Sequence, residues 1–136
     1  MVCVDSDQRE PYCWTESTDK RSGMKQPCYS LERVKELVEI GQVFLSRRRA
    51  LDMFPTPREA IAFARRVSKL LSIEHFSETV DLAADKADVY GLCIEGTGWY
   101  VKIYIDEYDP DRPETTFISL HPLERSIMTN AGKVEP

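Results

Sequence analysis

Only two histidines and four cysteines occur in the 136 residues, and no apolar run approaches the roughly 18–20 residues of a membrane span. The cysteines stand at positions 3, 13, 28 and 93, so none forms a C-x-x-C pair, and no two histidines have zinc-finger spacing. This argues against a structural metal site, and neither a metal nor another cofactor is expected. The first ten residues, MVCVDSDQRE, have no basic start and no apolar centre, so no secretory leader is expected. A cytoplasmic protein with free thiols and no membrane partner is the resulting expectation. Six glycines and eight prolines are too few for a low-complexity or fibrous chain.

What is present suits one domain with a self-sufficient core, since 42% of residues are hydrophobic and 30% charged. The net charge is −5, but it is unevenly spread. Residues 21–69 carry eleven Lys/Arg against five Asp/Glu, a local +6, whereas the rest carries seven against eighteen, a local −11. Such asymmetry marks either an anion-binding surface on an otherwise acidic protein or the solvated face of amphipathic helices.

Residues 1–28 are polar with little periodicity and read as a poorly ordered arm, with Tyr12 and Trp14 as its large apolar groups. A helix is predicted from Ser30, a good N-cap, with Glu32 in the first turn and Gly41 placed to end it. Leu31, Val34, Leu37 and Val38 form its apolar face. The following QVFLSRRR, residues 42–49, reads as an extended or mixed connection ending in three arginines. A second helix begins at Thr56-Pro57-Arg58-Glu59, a capping-box pattern with proline at the first helical position, and Ala60, Ala64, Val67 and Leu71 continue one stripe. For residues 72–87 a short helix and an acidic loop are predicted. Strands are predicted over 89–95, 99–105 and 115–121, with Gly96-Thr97-Gly98 as a hairpin turn and Pro122 ending the last. The fold class is therefore α+β: an antiparallel sheet of at least three strands packed against two or three N-terminal helices. Residues 29–124 form the domain and 125–136 a C-terminal tail.

Period two places Trp99, Val101, Ile103 and Ile105 on one face of the middle strand and Tyr100, Lys102 and Tyr104 on the other. The last strand divides into Thr116, Ile118 and Leu120 against Thr115, Phe117, Ser119 and His121. The aliphatic sets belong under the helices. With the loop centred near Pro110, Tyr100 falls opposite Leu120 or His121, and Lys102 near Ser119; a one-residue slip would exchange the faces. The other face then displays Tyr100, Lys102, Tyr104, Ser119 and His121. This set suits RNA cleavage without a metal: a base for the 2′-OH, an acid for the leaving 5′-oxygen, and cations for the phosphorane. His121 is the natural proton carrier near neutral pH, Tyr100 its partner, and Lys102 the stabilising cation. Arg47, Arg48, Arg49, Arg65 and Arg66 are candidate RNA-backbone contacts, and Tyr104 or Phe117 a stacking platform for a base. His75, beside Phe76, is expected to pack at a helix end. The same residues are also compatible with ordinary half-exposed sheet surface.

The motifs YSLERVKELVEIGQV at 29–43, DVY at 88–90, YVKI at 100–103 and FIS at 117–119 occur in an order and spacing that resemble the MqsR family of bacterial toxins. The resemblance spans roughly residues 29–123. It implies a RelE-like fold and an mRNA interferase that cuts single-stranded mRNA at a short sequence and is held inactive by a cognate antitoxin. The family's middle-strand tyrosine falls at Tyr100, and its last-strand lysine is replaced by His121. Two further family positions differ: a lysine aligns near Glu78 and a glutamine with Ala87. The expected function is an endoribonuclease toxin whose partners are mRNA and an antitoxin, with the oligomeric state open. The alternative is a non-catalytic RNA- or protein-binding module on the same fold.

Overall fold

A computed structural model describes residues 24–136. The arm predicted for 1–28 therefore lies mostly outside the described residues, Tyr12 and Trp14 included. Its described end is tied down: the Lys25 N–H donates to the Asn130 side chain, and the Cys28 N–H donates to Asp88.

Helix α1 spans Leu31–Glu39 and helix α2 Pro57–Leu70. The Ser30 hydroxyl accepts from the Arg33 N–H at the start of α1. At its end, Gly41 takes a φ of +87°, its N–H reaches the Val38 carbonyl, and the Gln42 N–H reaches Leu37. This is a Schellman closure, which needs the left-handed residue that glycine supplies. Thr56 caps α2 by accepting from the Glu59 N–H, with Pro57 at the first position. Val34, Leu37 and Val38 from α1, with Ala60, Ala64, Val67 and Leu71 at α2, are all buried in one core. Both helices thus follow their sequence pattern.

The strands are β1 (Val43–Leu45), β2 (Phe76–Asp81), β3 (Lys86–Ile94), β4 (Thr97–Asp106) and β5 (Glu114–Pro122), in the sheet order β1-β5-β4-β3-β2. Strands β2 to β5 are antiparallel to their neighbours, but β1 runs parallel to β5, so the sheet is mixed rather than purely antiparallel. The parallel edge arises because the connection after α1 lies beside the last strand while α2 returns the chain to the opposite edge. The β3–β4 turn holds Glu95 and Gly96 at φ of +50° and +83°, the two positive values of a type I′ hairpin.

Residues 72–87 correct the sequence reading. The predicted helix shrinks to a single 3-10 turn at Ile73–His75, and β2 follows where a loop was expected. Pairing with β3 decides this: Phe76, Thr79 and Val80 favour a pleated, half-buried surface once a partner strand exists. His75 does serve a local end, since its Nδ1 accepts from the Ser72 N–H at 3.1 Å, and burial lowers its pKa.

A second correction concerns β5. Lys102 pairs with Ser119 while Ile103 pairs with Phe117, so Ile118 is an extra residue in a β-bulge. Thr115 and Phe117 consequently oppose Ile105 and Ile103 on the helix side, whereas Ser119 and His121 oppose Lys102 and Tyr100 on the other. Phe117 is sealed in the core and offers no stacking surface, and Thr116 moves to the face of Tyr104. Simple alternation cannot register one inserted residue.

The segment read as a tail, residues 125–136, contains a hairpin of β6 (Ile127–Thr129) and β7 (Gly132–Val134) laid over the far face of β3. Gly91 makes room for it: a Cβ there would come within 2.5 Å of Ile127. The Asn130 side-chain amide donates to the Lys25 and Ile73 carbonyls, and its backbone N–H donates to Phe76.

Beneath the helices, Asp88 is only 1% exposed. Its carboxylate accepts from the Cys28 and Tyr29 N–H groups at 2.9 and 2.8 Å and from the Thr79 hydroxyl at 2.6 Å. Burial nevertheless dominates and pushes its pKa up to about 6, against those three bonds.

Candidate functional site

The sheet has one face under the helices and one turned away from them. Trp99 marks the first: its indole lies 4.5 Å from the Phe63 ring of α2 and stacks 6.2 Å from Phe54. Tyr100, Lys102 and Tyr104 alternate with it and therefore lie on the second.

On that second face Tyr100 pairs directly with His121 across β4 and β5. Their rings stack with centroids 5.2 Å apart and planes 20° from parallel. Lys102 is the next residue on the same side of β4, opposite Ser119. Tyr104 follows, opposite Thr116. Tyrosine, lysine and histidine thus share a face as expected from the sequence, and the register resolves in favour of His121 over Leu120, but Ser119 and His121 are buried rather than displayed, each 4% exposed.

The parallel pairing of β1 brings the arginine triplet here. After β1, the Ser46 N–H donates to Phe117, and the Leu120 N–H donates to the Arg49 carbonyl, which carries residues 46–49 along β5 to the histidine. The Arg49 Nη2 then lies 2.8 Å from His121 Nε2. A guanidinium has no lone pair to offer, so Nε2 accepts, and the ring proton sits on Nδ1. That Nδ1–H donates to the Pro122 carbonyl at 2.8 Å. The neutral imidazole is therefore held at both nitrogens and is only 4% exposed. Arg49 is half exposed and also reaches Glu124 at 3.5 Å.

Burial raises the Tyr100 pKa, and the Glu78 carboxylate adds to the rise while Arg49 opposes it. The phenol is thus kept neutral, as a hydrogen-bond donor. Tyr104 is raised too, first by burial and then by Asp106 and Asp85. Glu78 entered the sequence reading only as a departure from a family pattern. Its place on β2 opposite Val89, on the same side as Tyr100, adds a carboxylate to the electrostatics of this face.

The remaining cations are dispersed. Arg47 and Arg48 are exposed in the turn preceding Arg49. Arg65 and Arg66 project from α2, in the layer on the opposite side of the sheet from Tyr100 and His121, and Arg66 forms a 2.6 Å ion pair with Glu95. They are not brought to the tyrosine–histidine pair. The acidic loop between β4 and β5 lies at the far end of both strands from it. The basic triplet and the acidic loop therefore flank opposite ends of one face.

No protein-family model, curated protein or solved structure matches this chain. No helix among the described residues is long and apolar enough to cross a membrane.

Proposed function

We propose that the chain is an endoribonuclease of the mRNA interferase type, a RelE-like toxin similar to the MqsR family and restrained by a cognate antitoxin. The observation that carries this reading is the stacked Tyr100–His121 pair with Arg49 and Lys102 beside it on the sheet face away from the helices. An RNA phosphodiester laid across the pair would meet two cations, a neutral phenol and an imidazole nitrogen. His121 Nε2 takes the proton of the ribose 2′-OH, and the 2′-oxygen attacks phosphorus. Lys102 and Arg49 stabilise the phosphorane, and the Tyr100 hydroxyl protonates the 5′-oxygen as the P–O5′ bond breaks. The products are a 2′,3′-cyclic phosphate and a 5′-hydroxyl end. Arg47 and Arg48 guide the strand, and Tyr104 stacks a base.

The test is incubation of the purified chain with mRNA in buffer containing EDTA. Cleavage is expected, with loss of about 100-fold or more in His121→Ala, the low end for removing a proton carrier, and a smaller loss in Tyr100→Phe. Undiminished cleavage by both variants removes the assigned mechanism. Induced expression should arrest growth, and co-expression of a cognate antitoxin should relieve it.

A second reading, RNA binding without cleavage, is favoured by one observation. Both His121 nitrogens are occupied and the residue is 4% exposed. Retained RNA binding with no cleavage product would establish it.

A further inference from the structure

We propose that Arg49 is a displaceable cap on His121, which phosphate draws off so that the imidazole is unmasked only when a phosphodiester arrives. This rests on the reading of the face as an RNA-cleaving site and adds how that site is kept closed. The backbone beneath the cap is fixed. The Arg49 carbonyl accepts from the Leu120 N–H at 2.8 Å, and the next residue, Ala50, is wholly buried in the core. The side chain is not fixed: it is half exposed and stands between two acceptors, His121 Nε2 at 2.8 Å and the Glu124 carboxylate at 3.5 Å.

Those two acceptors are both weak competitors. The imidazole is neutral, and Glu124 is 71% exposed, so its charge is solvated. A phosphodiester offers a guanidinium two oxyanion acceptors in fork geometry, a stronger bond than a neutral nitrogen provides. Lys102, on the same side of β4, supplies a second positive charge to draw the phosphate in. As Arg49 turns from Nε2 to the phosphate, the nitrogen lone pair that would accept the 2′-OH proton becomes free. One motion thus exposes the base and delivers a cation to the charge that develops.

The cap can be read without any RNA. Diethyl pyrocarbonate acylates an imidazole nitrogen only through a free lone pair, and at His121 only Nε2 has one to offer. His75, the other histidine, bonds to Ser72 and serves as an internal control within each sample. Peptide mass spectrometry of the full chain is expected to show His121 modified about fivefold faster in Arg49→Ala than in wild type, the worth of one net hydrogen bond. Excess inorganic phosphate should accelerate the wild type at His121 and leave Arg49→Ala unchanged. The cap is overturned if Arg49→Ala reacts no faster than wild type. It is equally overturned if phosphate leaves the wild-type rate the same or lowers it. The phosphate measurement needs no variant and so does not depend on how one folds. Failure of the nuclease reading shows instead as no RNA cleavage by the wild type, whatever the labelling rates.

Discussion

The two faces of the sheet differ in what fills them. Under α1 and α2, Tyr90, Val101, Ile103, Phe117 and Leu120 are at or near zero exposure and pack as one core. The face away from the helices is divided. The β6–β7 hairpin covers the β3 side, while Tyr100, Lys102, Tyr104 and His121 occupy the β4–β5 side among polar neighbours. Substitutions on the helix side should therefore register as stability, and those on the β4–β5 side as chemistry.

The sharpest contrast takes one residue from each face. Phe117→Ala should destabilise by about 3–5 kcal/mol, because its ring leaves a cavity the core cannot collapse into. Tyr100→Phe should cost about 1 kcal/mol or less, since it removes a half-exposed hydroxyl. Urea unfolding of both variants checks this, and equal costs would erase the distinction between the faces.

Asp88 gives the helix side a pH dependence in the mildly acidic range. Its folded pKa of about 6 lies above the value of 3.8 for a free aspartate. Its contribution to stability is thus full below pH 3.8 and is lost as pH rises through 6, where the unfolded chain has already released the proton that the folded chain keeps. The loss amounts to about 3 kcal/mol. Unfolding midpoints across this range should show the decline in wild type and not in Asp88→Asn.

Gly91→Ala tests whether the hairpin is a true cover. The added methyl would press on Ile127, costing about 1–3 kcal/mol as overpacking does. Hydrogen exchange should accelerate first in residues 127–134, with the helices unaffected.

The smallest effect belongs to α2. Arg66→Ala breaks an ion pair with Glu95 in which both side chains are about half exposed or more, worth about 0.2–1 kcal/mol. Because α2 lies across the sheet from Tyr100, RNA cleavage should not change. A clear loss of cleavage would show that RNA also crosses the helical layer.

Several features were legible in the chain because they rest on contacts between near neighbours. Ser30 and Gly41 bracket α1, Thr56-Pro57-Arg58-Glu59 opens α2, and period two along 99–105 separates Trp99 from Tyr100. The same alternation joins Tyr100 to Lys102, whereas His121 reaches their face through the β4–β5 register. Two other features left little trace. A strand such as β2 becomes a strand by finding β3, and the three-residue strands of the hairpin are too short to carry a period.

By itself, then, the sequence determined where both helices start, how α1 ends, which stripes are apolar and which residues alternate on β4, since each depends on spacing within a few positions. Only the tertiary structure decided the bulge at Ile118, the parallel seating of β1 and the placing of Arg49 against the imidazole. Arg49 and His121 stand 72 positions apart, and the bulge decides which face of β5 each side chain takes. Such pairings come from the packing of the whole chain, which no local pattern encodes.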